Sequence, residues 1–496
     1  MFTNFGSWAV TKVDALGNQT YIAYNALGRR IKMTDGNGDV TQYSYDGLNQ
    51  LKTTTYLADS ETVTYTYNAA GNRTQMADSL GTTTTVYDDL YRVITVTNPF
   101  TGNVGYEYDL VGNRTGLVYP DGHTITSTYN ADNRLIQVED WDGGFTTYTY
   151  NNAAQLITTT LPNGVQTVNV YDMAGQLLRL THTNTVTGTL VAEYQYQLDR
   201  LGNPLTTTET TRLPDNNLQT TIIVNTYDPL YRLTDITYSG ILTGTTSYTY
   251  NAIGQRTAYT TDITQTQTIT YQYNAANQLV VSVESGGDTT TYDWDDVGRL
   301  ITTTVAGSIS RLYDYSQDGD LISALVDGIT TTFTYDGAGN RLQMSVAGEV
   351  TTYTLDYAAG SRILFETGGA FANSKHYLYG LACIGEQVDA DIPATEEWRY
   401  YHRDRKTLVR QTTNSQTAVT LAWTFSPEGA VLLGEEGPVT HLDCDNAVYD
   451  FSTGLIFKQS NYFDPRNGIW STIGGIVIWN SSQSYTHKRR RRKRKR

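Results

Sequence analysis

The stretch Thr334–Leu342, TYDGAGNRL, shows most clearly the local pattern that decides the fold. The residues before its reversal, Thr330–Tyr335, are β-branched or aromatic, a composition that is typical of strands. Asp336 can bond its side chain to the backbone two residues on, and Gly339 tolerates a positive φ, so the chain can reverse direction here. The stretch therefore predicts a β-hairpin whose return strand begins at Arg341.

The same pattern recurs along most of the chain, in steps of 20 to 23 residues for all but two intervals. Because a single hairpin is marginally stable in water, we expect the units to stack side by side into one continuous sheet. Two units, with Tyr91 and Tyr231 at a position that is usually Gly or Asn, are expected to use a different turn. The sixteen units align on the anchors Tyr24, Tyr45, Tyr67, Tyr87, Tyr108, Tyr129, Tyr150, Tyr171, Tyr196, Tyr227, Tyr250, Tyr273, Trp294, Tyr315, Tyr335 and Leu355.

The iterated pattern resembles the YD repeats of the RHS family, which is shared by bacterial polymorphic toxins, the B and C components of insecticidal toxin complexes and the teneurin shell. In that family the hairpins wind into a spiral that encloses a hollow shell. The resemblance implies an all-β fold here, a YD-repeat β-hairpin spiral that forms a complete or partial shell. The periodicity alone would also allow another β-solenoid or a β-propeller.

The simple period stops after residue 360, and a different series of blocks follows. This series is similar to the RHS repeat-associated core, which plugs or closes the shell in the family. The predicted organisation is therefore a lead-in at 1–12, YD repeats at 13–360, an RHS core at 361–475 and a linker with a basic tail at 476–496. The blocks are Tyr377–Gly380, Tyr400–Asp404, Phe425–Gly429, Asp450–Leu455 and Tyr462–Gly468.

The only enzymatic activity that the resemblance suggests is self-cleavage. In the family the core can cut its own chain with an aspartyl-protease-like pair of carboxylates, one acting as acid and the other as base. Asp450 and Asp464 stand at matching positions and are the candidate catalytic residues. However, Gly474 and Gly475 occupy the place of the family's second Asp-Pro pair, so a purely structural role in turns is the competing interpretation.

Composition agrees with an all-β protein, since 39 Tyr and 43 Gly stand against only 10 Pro. The two cysteines do not make a disulfide framework, and Cys444 lies between two aspartates, which disfavours a thiolate nucleophile. No signal peptide is visible near the N-terminus, and no apolar run is long enough for a membrane span. The first repeat begins almost at once, so we expect the chain to be part of a longer shell or to pair with another protein. The family resemblance implies a secreted or cell-surface location.

Neither a metal nor another cofactor is predicted. Asp35–Asp39, DGNGD, resembles the opening of a calcium loop, but Val40 and Asp46 stand where such a loop needs Gly and Glu, so a turn is expected. The histidines show no zinc-ligand spacing and are assigned structural roles. They are His123, His182, His376, His402, His441 and His487.

Charge is segregated along the chain. The net charge is −15 although the last nine residues are all basic, so the body is strongly acidic and should repel nucleic acid. The tail is predicted to bind polyanions weakly and in a salt-dependent way. Its residues are Lys488, Arg489, Arg490, Arg491, Arg492, Lys493, Arg494, Lys495 and Arg496.

These observations favour a non-enzymatic, encapsulating shell protein of a polymorphic-toxin, contact-dependent or cell-surface system. Its expected partners are an enclosed toxin polypeptide or another shell chain. One alternative is an autoproteolytic toxin carrier whose toxin is lost or lies on another chain. The other is a carbohydrate-binding adhesion protein, in which rows of tyrosine would stack on sugar rings.

Overall fold

The computed structural model describes residues 7–263, 265–368, 374–388, 397–427, 429–434, 448–450, 453, 455–458, 461–464 and 469–470. Their secondary structure is β-strand, apart from one short 3-10 helix, η1, at Tyr357–Ala359. The strands before η1 are β1 Ser7–Val13, β2 Gln19–Asn25, β3 Arg30–Thr34, β4 Val40–Tyr45, β5 Leu51–Tyr56, β6 Glu61–Tyr67, β7 Arg73–Asp78, β8 Gly81–Tyr87, β9 Val93–Asn98, β10 Gly102–Tyr108, β11 Arg114–Val118, β12 Thr124–Tyr129, β13 Leu135–Glu139, β14 Phe145–Tyr150, β15 Leu156–Thr160, β16 Val165–Tyr171, β17 Leu177–Asn184, β18 Leu190–Leu198, β19 Pro204–Arg212, β20 Leu218–Tyr227, β21 Leu233–Gly240, β22 Gly244–Tyr250, β23 Arg256–Thr261, β24 Gln267–Tyr273, β25 Leu279–Glu284, β26 Thr289–Trp294, β27 Leu300–Val305, β28 Ser308–Tyr315, β29 Leu321–Val326, β30 Ile329–Tyr335, β31 Arg341–Val346 and β32 Glu349–Asp356. The strands after η1 are β33 Arg362–Gly368, β34 Lys375–Tyr379, β35 Cys383–Val388, β36 Glu397–Arg403, β37 Val409–Thr413, β38 Val419–Ala422, β39 Thr424–Phe425, β40 Val431–Leu433, β41 Val448–Asp450, β42 Leu455–Lys458, β43 Asn461–Asp464 and β44 Ile469–Trp470.

One antiparallel sheet runs through most of these strands. Each strand from β1 to β38 pairs with the next one along the chain, and β1 forms an open edge of the sheet. Two small sheets follow, β39–β40 and β41–β44. The prediction of an all-β fold built from stacked hairpins is therefore confirmed.

The reversals after the anchors follow the chemistry expected from the sequence. The side-chain oxygen Oδ1 of Asp46 accepts hydrogen bonds from the N–H groups of Leu48, at 2.9 Å, and Gln50, at 2.8 Å. The residue four positions after the anchor has a positive φ, 62° at Asn49 and 75° at Gly339. Most of these turns are therefore held by one Asp or Asn side chain and one left-handed residue, whereas the turn after Tyr315 uses the Ser316 hydroxyl and the unit of Leu355 reverses through η1.

The expectation of a different turn at Tyr91 and Tyr231 is wrong. Their φ values are 63° and 60°, and the N–H of Tyr91 donates to the Asp88 carbonyl oxygen at 2.9 Å, as in the other units. Arg92 reinforces the turn by donating from Nε to Asp88 Oδ2 at 2.6 Å. These bonds offset the cost of about 1–2 kcal/mol for a side chain in the left-handed region, and the ring of Tyr91 lies 61% exposed.

One aligned anchor also needs correction. In the unit assigned to Tyr196, the reversal follows Leu198, because Asp199 Oδ1 accepts the N–H groups of Leu201 and Asn203, both at 2.8 Å. The strands around it are among the longest in the sheet, which accounts for the two long intervals in the sequence.

The anchor tyrosines join each hairpin to the one before it. The Tyr45 hydroxyl donates to the carbonyl of Arg30 at 2.8 Å, and the Tyr150 hydroxyl donates to the carbonyl of Leu135 at 2.7 Å. Trp294 makes the same bond from Nε1, to the carbonyl oxygen of Leu279 at 2.7 Å. Each acceptor is the first residue of the preceding return strand. The anchor side chain therefore needs a hydrogen-bond donor at the far end of its ring. This explains why the anchor is tyrosine and not phenylalanine.

The sheet winds into a spiral whose successive turns contact each other through hairpin ends. We call the reversal from an odd-numbered to an even-numbered strand a connector tip, and the reversal from an even-numbered to an odd-numbered strand a YD tip. At the connector tip after β3, Asn37 Oδ1 accepts the N–H of Asp296 at 3.0 Å, across 259 residues of sequence. Asp78 Oδ2 likewise accepts the N–H of Gly337 at 2.7 Å, again 259 residues away.

The offset of about 259 residues defines one wrap of the spiral. Because the tip after β3 meets the tip after β26, the first wrap comprises β3–β25, and the second wrap begins at β26. YD tips of the second wrap lie on connector tips of the first wrap, as the bonds of Asn37 and Asp78 show.

The two faces of the sheet differ in polarity. On β26, Tyr292 is buried whereas Asp293 is exposed, and the residue two before an anchor is likewise a buried aromatic at Tyr148 and Phe333. The small sheet β41–β44 packs against this apolar side, which is therefore the inner face. Buried residues of β34–β37 join one hydrophobic cluster with β10–β14, and Leu455 and Tyr462 join another with β24–β30.

The left-handed turn in the TYDGAGNRL unit gives a direct test by substitution. Gly339→Val is expected to lower the free energy of unfolding by about 1 kcal/mol or more, because a β-branched residue is strained at a φ of 75°. Gly47→Val is the matched control, since a Cβ at Gly47 would meet no atom within 4 Å and its φ is not positive. Thermal and urea unfolding measure both, and an equal loss in the two variants would contradict the assignment.

Candidate functional site

A buried ion cluster joins the second wrap of the spiral to the first. Arg410 on β37 donates from Nη2 to Glu209 Oε2 at 2.6 Å and from Nη1 to Asp404 Oδ2 at 2.9 Å. All three side chains are buried. Burial opposes the charge of Arg410, but Glu209 and the other neighbours outweigh it and raise the pKa of the guanidinium. The cluster therefore ties β37 to β19 of the first wrap.

Two of the six histidines lie beside this cluster and face each other. The ring centroids of His182 and His402 are 5.1 Å apart. His182 shares a 2.8 Å hydrogen bond with the Thr167 hydroxyl and a 2.9 Å hydrogen bond with the carbonyl of Arg403. Burial lowers the pKa of His182 to about 4 and also lowers the pKa of His402 well below its ordinary value. Both rings are therefore neutral at pH 7, as a tightly packed contact requires.

The candidate catalytic residues lie on the small sheet β41–β44. Asp450 pairs with Leu455 and Phe463 pairs with Ile456, so the strands that end in Asp450 and Asp464 flank β42. Because neighbouring strands lie about 5 Å apart, the strands that end in Asp450 and Asp464 are about 10 Å apart, with β42 between them.

The side chain of Asp464 is buried and forms an ion pair with Arg311 of β28. Burial opposes the charge of Arg311, but Asp464 and Tyr313 outweigh it and raise the pKa of the guanidinium. This is the arrangement of a structural ion pair, whereas an aspartyl-protease pair shares one proton between two carboxylates. A catalytic role for Asp450 and Asp464 stays a prediction.

The DGNGD segment forms a turn, as its sequence favours. Asp35 Oδ1 accepts the N–H of Asp39 at 2.9 Å, and Gly38 has a φ of 88°. Asn37, in the middle of the segment, bonds the YD tip of the next wrap. The segment therefore takes part in the contact between wraps.

The cysteines and the basic tail are only partly within the described residues. Cys383 is buried and unpaired, and burial raises the pKa of its thiol to about 12, which makes it a poor nucleophile. His441, Cys444, His487 and residues 488–496 lie outside the described residues, so polyanion binding by the tail stays a prediction.

The carbohydrate hypothesis requires tyrosines that can meet a sugar. The anchor hydroxyls of Tyr45 and Tyr150 already donate to backbone carbonyls, and Tyr148 is buried. A sugar site would need exposed rings such as Tyr91 and Tyr231 at the YD tips. The hypothesis stays a prediction.

These features define a class of protein: an open, spirally wound β-shell of tyrosine-anchored hairpins, with C-terminal strands packed against its inner face. The described residues contain no helix that is long and apolar enough to cross a membrane. Three segments, 24–62, 129–166 and 273–309, match the RHS repeat. The chain is an RHS/YD-repeat protein whose shell resembles the cocoon of toxin complexes.

The first of the following three solved structures has a similar fold. The crystal structure of TcdB2-TccC3-TEV gives a TM-score of 0.66 at 14% identity over 95% of this chain, which spans 29% of that chain. The crystal structure of TcdB2-TccC3 gives 0.44 at 14% identity, covering 94% and 31% of the two chains. The Tc holotoxin pore of Photorhabdus luminescens gives 0.39 at 14% identity, covering 95% and 30%. No curated protein matches the sequence.

Proposed function

We propose that the chain is a non-enzymatic shell segment of a toxin-delivery system, which holds polypeptide against its inner face and is completed by a further YD-repeat wrap. The observation that carries this proposal is the packing of the C-terminal strands. On the separate small sheet β41–β44, Leu455, Ile456, Tyr462 and Phe463 are each at most 3% exposed, and Leu455 and Tyr462 lie in one hydrophobic cluster with inner-face residues of β24–β30. The inner face is therefore suited to enclose polypeptide. A secreted or cell-surface location is part of the proposal and rests on the family resemblance.

The YD tips of the first wrap support a second shell chain as a partner. They present exposed apolar side chains, including Leu48, Leu110, at 99% exposure, and Met173, at 101%. In the second wrap, tips of the same kind lie on connector tips, as Gly337 does beside Asp78. The YD tips of the first wrap therefore fit the connector tips of another wrap, which would cover these apolar side chains.

Enclosure of polypeptide can be tested with a site-specific protease. One variant carries the recognition sequence directly after Lys458, where β42 ends, and the control carries it at the exposed connector tip around Val186. We expect the control site to be cut rapidly and the site after Lys458 to be cut at least about tenfold more slowly in the native protein. Both sites should be cut equally in urea. Equal rates in the native protein would contradict enclosure.

Self-cleavage is the alternative function, and we expect it to be absent. The purified chain should remain intact on incubation between pH 5 and pH 8, because Asp464 pairs with Arg311 and the second Asp-Pro pair of the family is replaced by Gly474 and Gly475. Gel electrophoresis and intact-mass measurement would detect a fragment released near Gly475. If cleavage occurs and Asp450→Asn abolishes it, the structural interpretation of Asp450 is wrong.

A further inference from the structure

Three potential metal ligands from the two wraps meet at the connector tip after β11. Asp121 and His123 lie on this tip, and His376 lies on β34 of the second wrap. Nδ1 of His123 is 3.0 Å from Oδ2 of Asp121, and Nε2 of His376 contacts the same carboxylate oxygen. The three ligand atoms all lie within 4.8 Å of one another.

The tip is built so that one carboxylate oxygen holds the loop and the other faces the imidazoles. Oδ1 of Asp121 accepts the backbone N–H of His123 at 3.0 Å, which fixes the turn. Oδ2 faces one nitrogen from each histidine. Because zinc binds nitrogen and oxygen ligands at about 2.0–2.2 Å, two ligands of one tetrahedral ion lie roughly 3–3.5 Å apart. The 3.0 Å between His123 Nδ1 and Asp121 Oδ2 falls in this range, and the three ligand atoms all lie within 4.8 Å of one another, so small side-chain adjustments would bring them around a single ion.

The surroundings close the site on one side and open it on the other. The side chain of His376 is 2% exposed, and the Phe365 ring stacks on it with a centroid distance of 3.9 Å. The ring centroid of Trp141 lies 5.1 Å from that of His123 and 5.4 Å from that of His376. The side chains of Asp121 and His123 are 33% and 37% exposed to solvent. An ion here would have a fixed, apolar wall and open positions toward solvent.

We propose that Asp121, His123 and His376 form a binding site for a divalent transition-metal ion, with Zn²⁺ the best-suited ion. Two imidazoles and one carboxylate are ligands that Zn²⁺, Co²⁺ and Ni²⁺ prefer, whereas Ca²⁺ and Mg²⁺ favour oxygen ligands. Water completes the coordination on the exposed side. Since the ligands come from β34 and from a tip 255 residues earlier, the ion joins the two wraps.

Binding to the folded chain alone has a measurable consequence. His376 is far from Asp121 and His123 in the unfolded chain, so the ion binds the native state preferentially and stabilises it by an amount that grows with the logarithm of the free ion concentration above Kd. We expect the midpoint of thermal unfolding to rise when Zn²⁺ is added and to fall back when it is chelated.

The test uses the full chain without a histidine affinity tag, after treatment with a chelator. Titration with Zn²⁺ by calorimetry, and with Co²⁺ by visible absorption, is expected to show one saturable site per chain. His123→Asn should weaken both at least about tenfold, the scale on which metal sites respond to losses around the ion. His123 is chosen because its partly exposed side chain can be replaced with the least damage to packing. Asp132→Asn, at an exposed YD tip, is the matched control and should leave binding unchanged.

Each outcome decides the proposal. A single site that is lost in His123→Asn, with unfolding in chelator equal to that of the parent chain, supports it. If His123→Asn lowers stability even in chelator, His376→Gln and Asp121→Asn are titrated under conditions where circular dichroism shows them folded, and loss of binding in these variants is the supporting result. Absence of a saturable site in the parent chain, or retention of full affinity in folded variants, overturns the proposal and leaves the cluster as an ion pair between wraps.

Discussion

Replacing Arg410 by methionine is expected to lower the free energy of unfolding by about 3–5 kcal/mol, the range measured when one partner of a buried ion pair is removed. Arg410 compensates two buried carboxylates, those of Glu209 and Asp404, and its Nε also donates to the carbonyl of Trp423 at 3.0 Å. Methionine fills much of the volume but leaves both charges uncompensated. Urea unfolding followed by tryptophan fluorescence measures the loss.

A matched control separates burial from the loss of an ion pair as such. Arg232 makes a bond of the same kind, from Nε to Asp228 Oδ2 at 2.6 Å, but its side chain is 28% exposed. Arg232→Met should therefore cost at most about 1 kcal/mol. Adding Glu209→Gln and Asp404→Asn to Arg410→Met should restore most of the stability. A loss in Arg410→Met no larger than in Arg232→Met would show that the cluster does not hold β37 in place.

Replacing Asp320 by asparagine is expected to stabilise the protein at pH 8 and to have little effect at pH 4. Asp320 is buried at a YD tip, and burial, with smaller contributions from Asp318 and Asp336, raises the pKa of its carboxyl to about 7. In the unfolded chain an aspartate has a pKa of about 4. The folded state therefore binds this proton more tightly, so the contribution of Asp320 to stability is full below about pH 4 and is lost as the pH rises to about 7.

The size of the effect follows from the same shift. A displacement of about three pKa units corresponds to a gain on the order of 2–4 kcal/mol for Asp320→Asn at pH 8. Asp89→Asn, at an exposed position of another YD tip, should change stability equally little at both pH values. Urea unfolding at pH 4, 6 and 8 measures the difference between each variant and the parent chain. A gain that is independent of pH would show that the carboxyl of Asp320 ionises normally.

The sequence predicted the local part of this fold well, for a physical reason. The Asp336 and Gly339 positions act within one turn, so residue type and spacing are sufficient to predict the reversal. The prediction of a different turn at Tyr91 was wrong because it considered only the low preference of tyrosine for a left-handed conformation. The hydrogen bonds between Asp88 and Arg92 offset the cost of that conformation. The donor at the anchor was visible as a preference for tyrosine, but its acceptor on the preceding hairpin was not.

Contacts between wraps could not be read from the pattern. Glu209 and Arg410 are 201 residues apart, and Asp121 and His376 are 255 residues apart. The repeat period of about 21 residues does not determine how many hairpins complete one wrap, because that number depends on the accumulated twist of the sheet. Once the offset of about 259 residues is known, Asp121 and His123 are expected opposite the region of His376, and the cluster could have been found.

The anchor hydroxyls have a consequence for the time course of synthesis. Tyr150 reaches back only 15 residues to Leu135, so each hairpin can attach to its predecessor as soon as it leaves the ribosome. Glu209 and Asp121 must wait for residues more than 200 positions later. At roughly 5–20 residues per second, that delay is on the order of 10–50 s. For that interval the nascent first wrap lacks the second wrap that later contacts its connector tips, which is the period when a chaperone or an incoming polypeptide would have access to them.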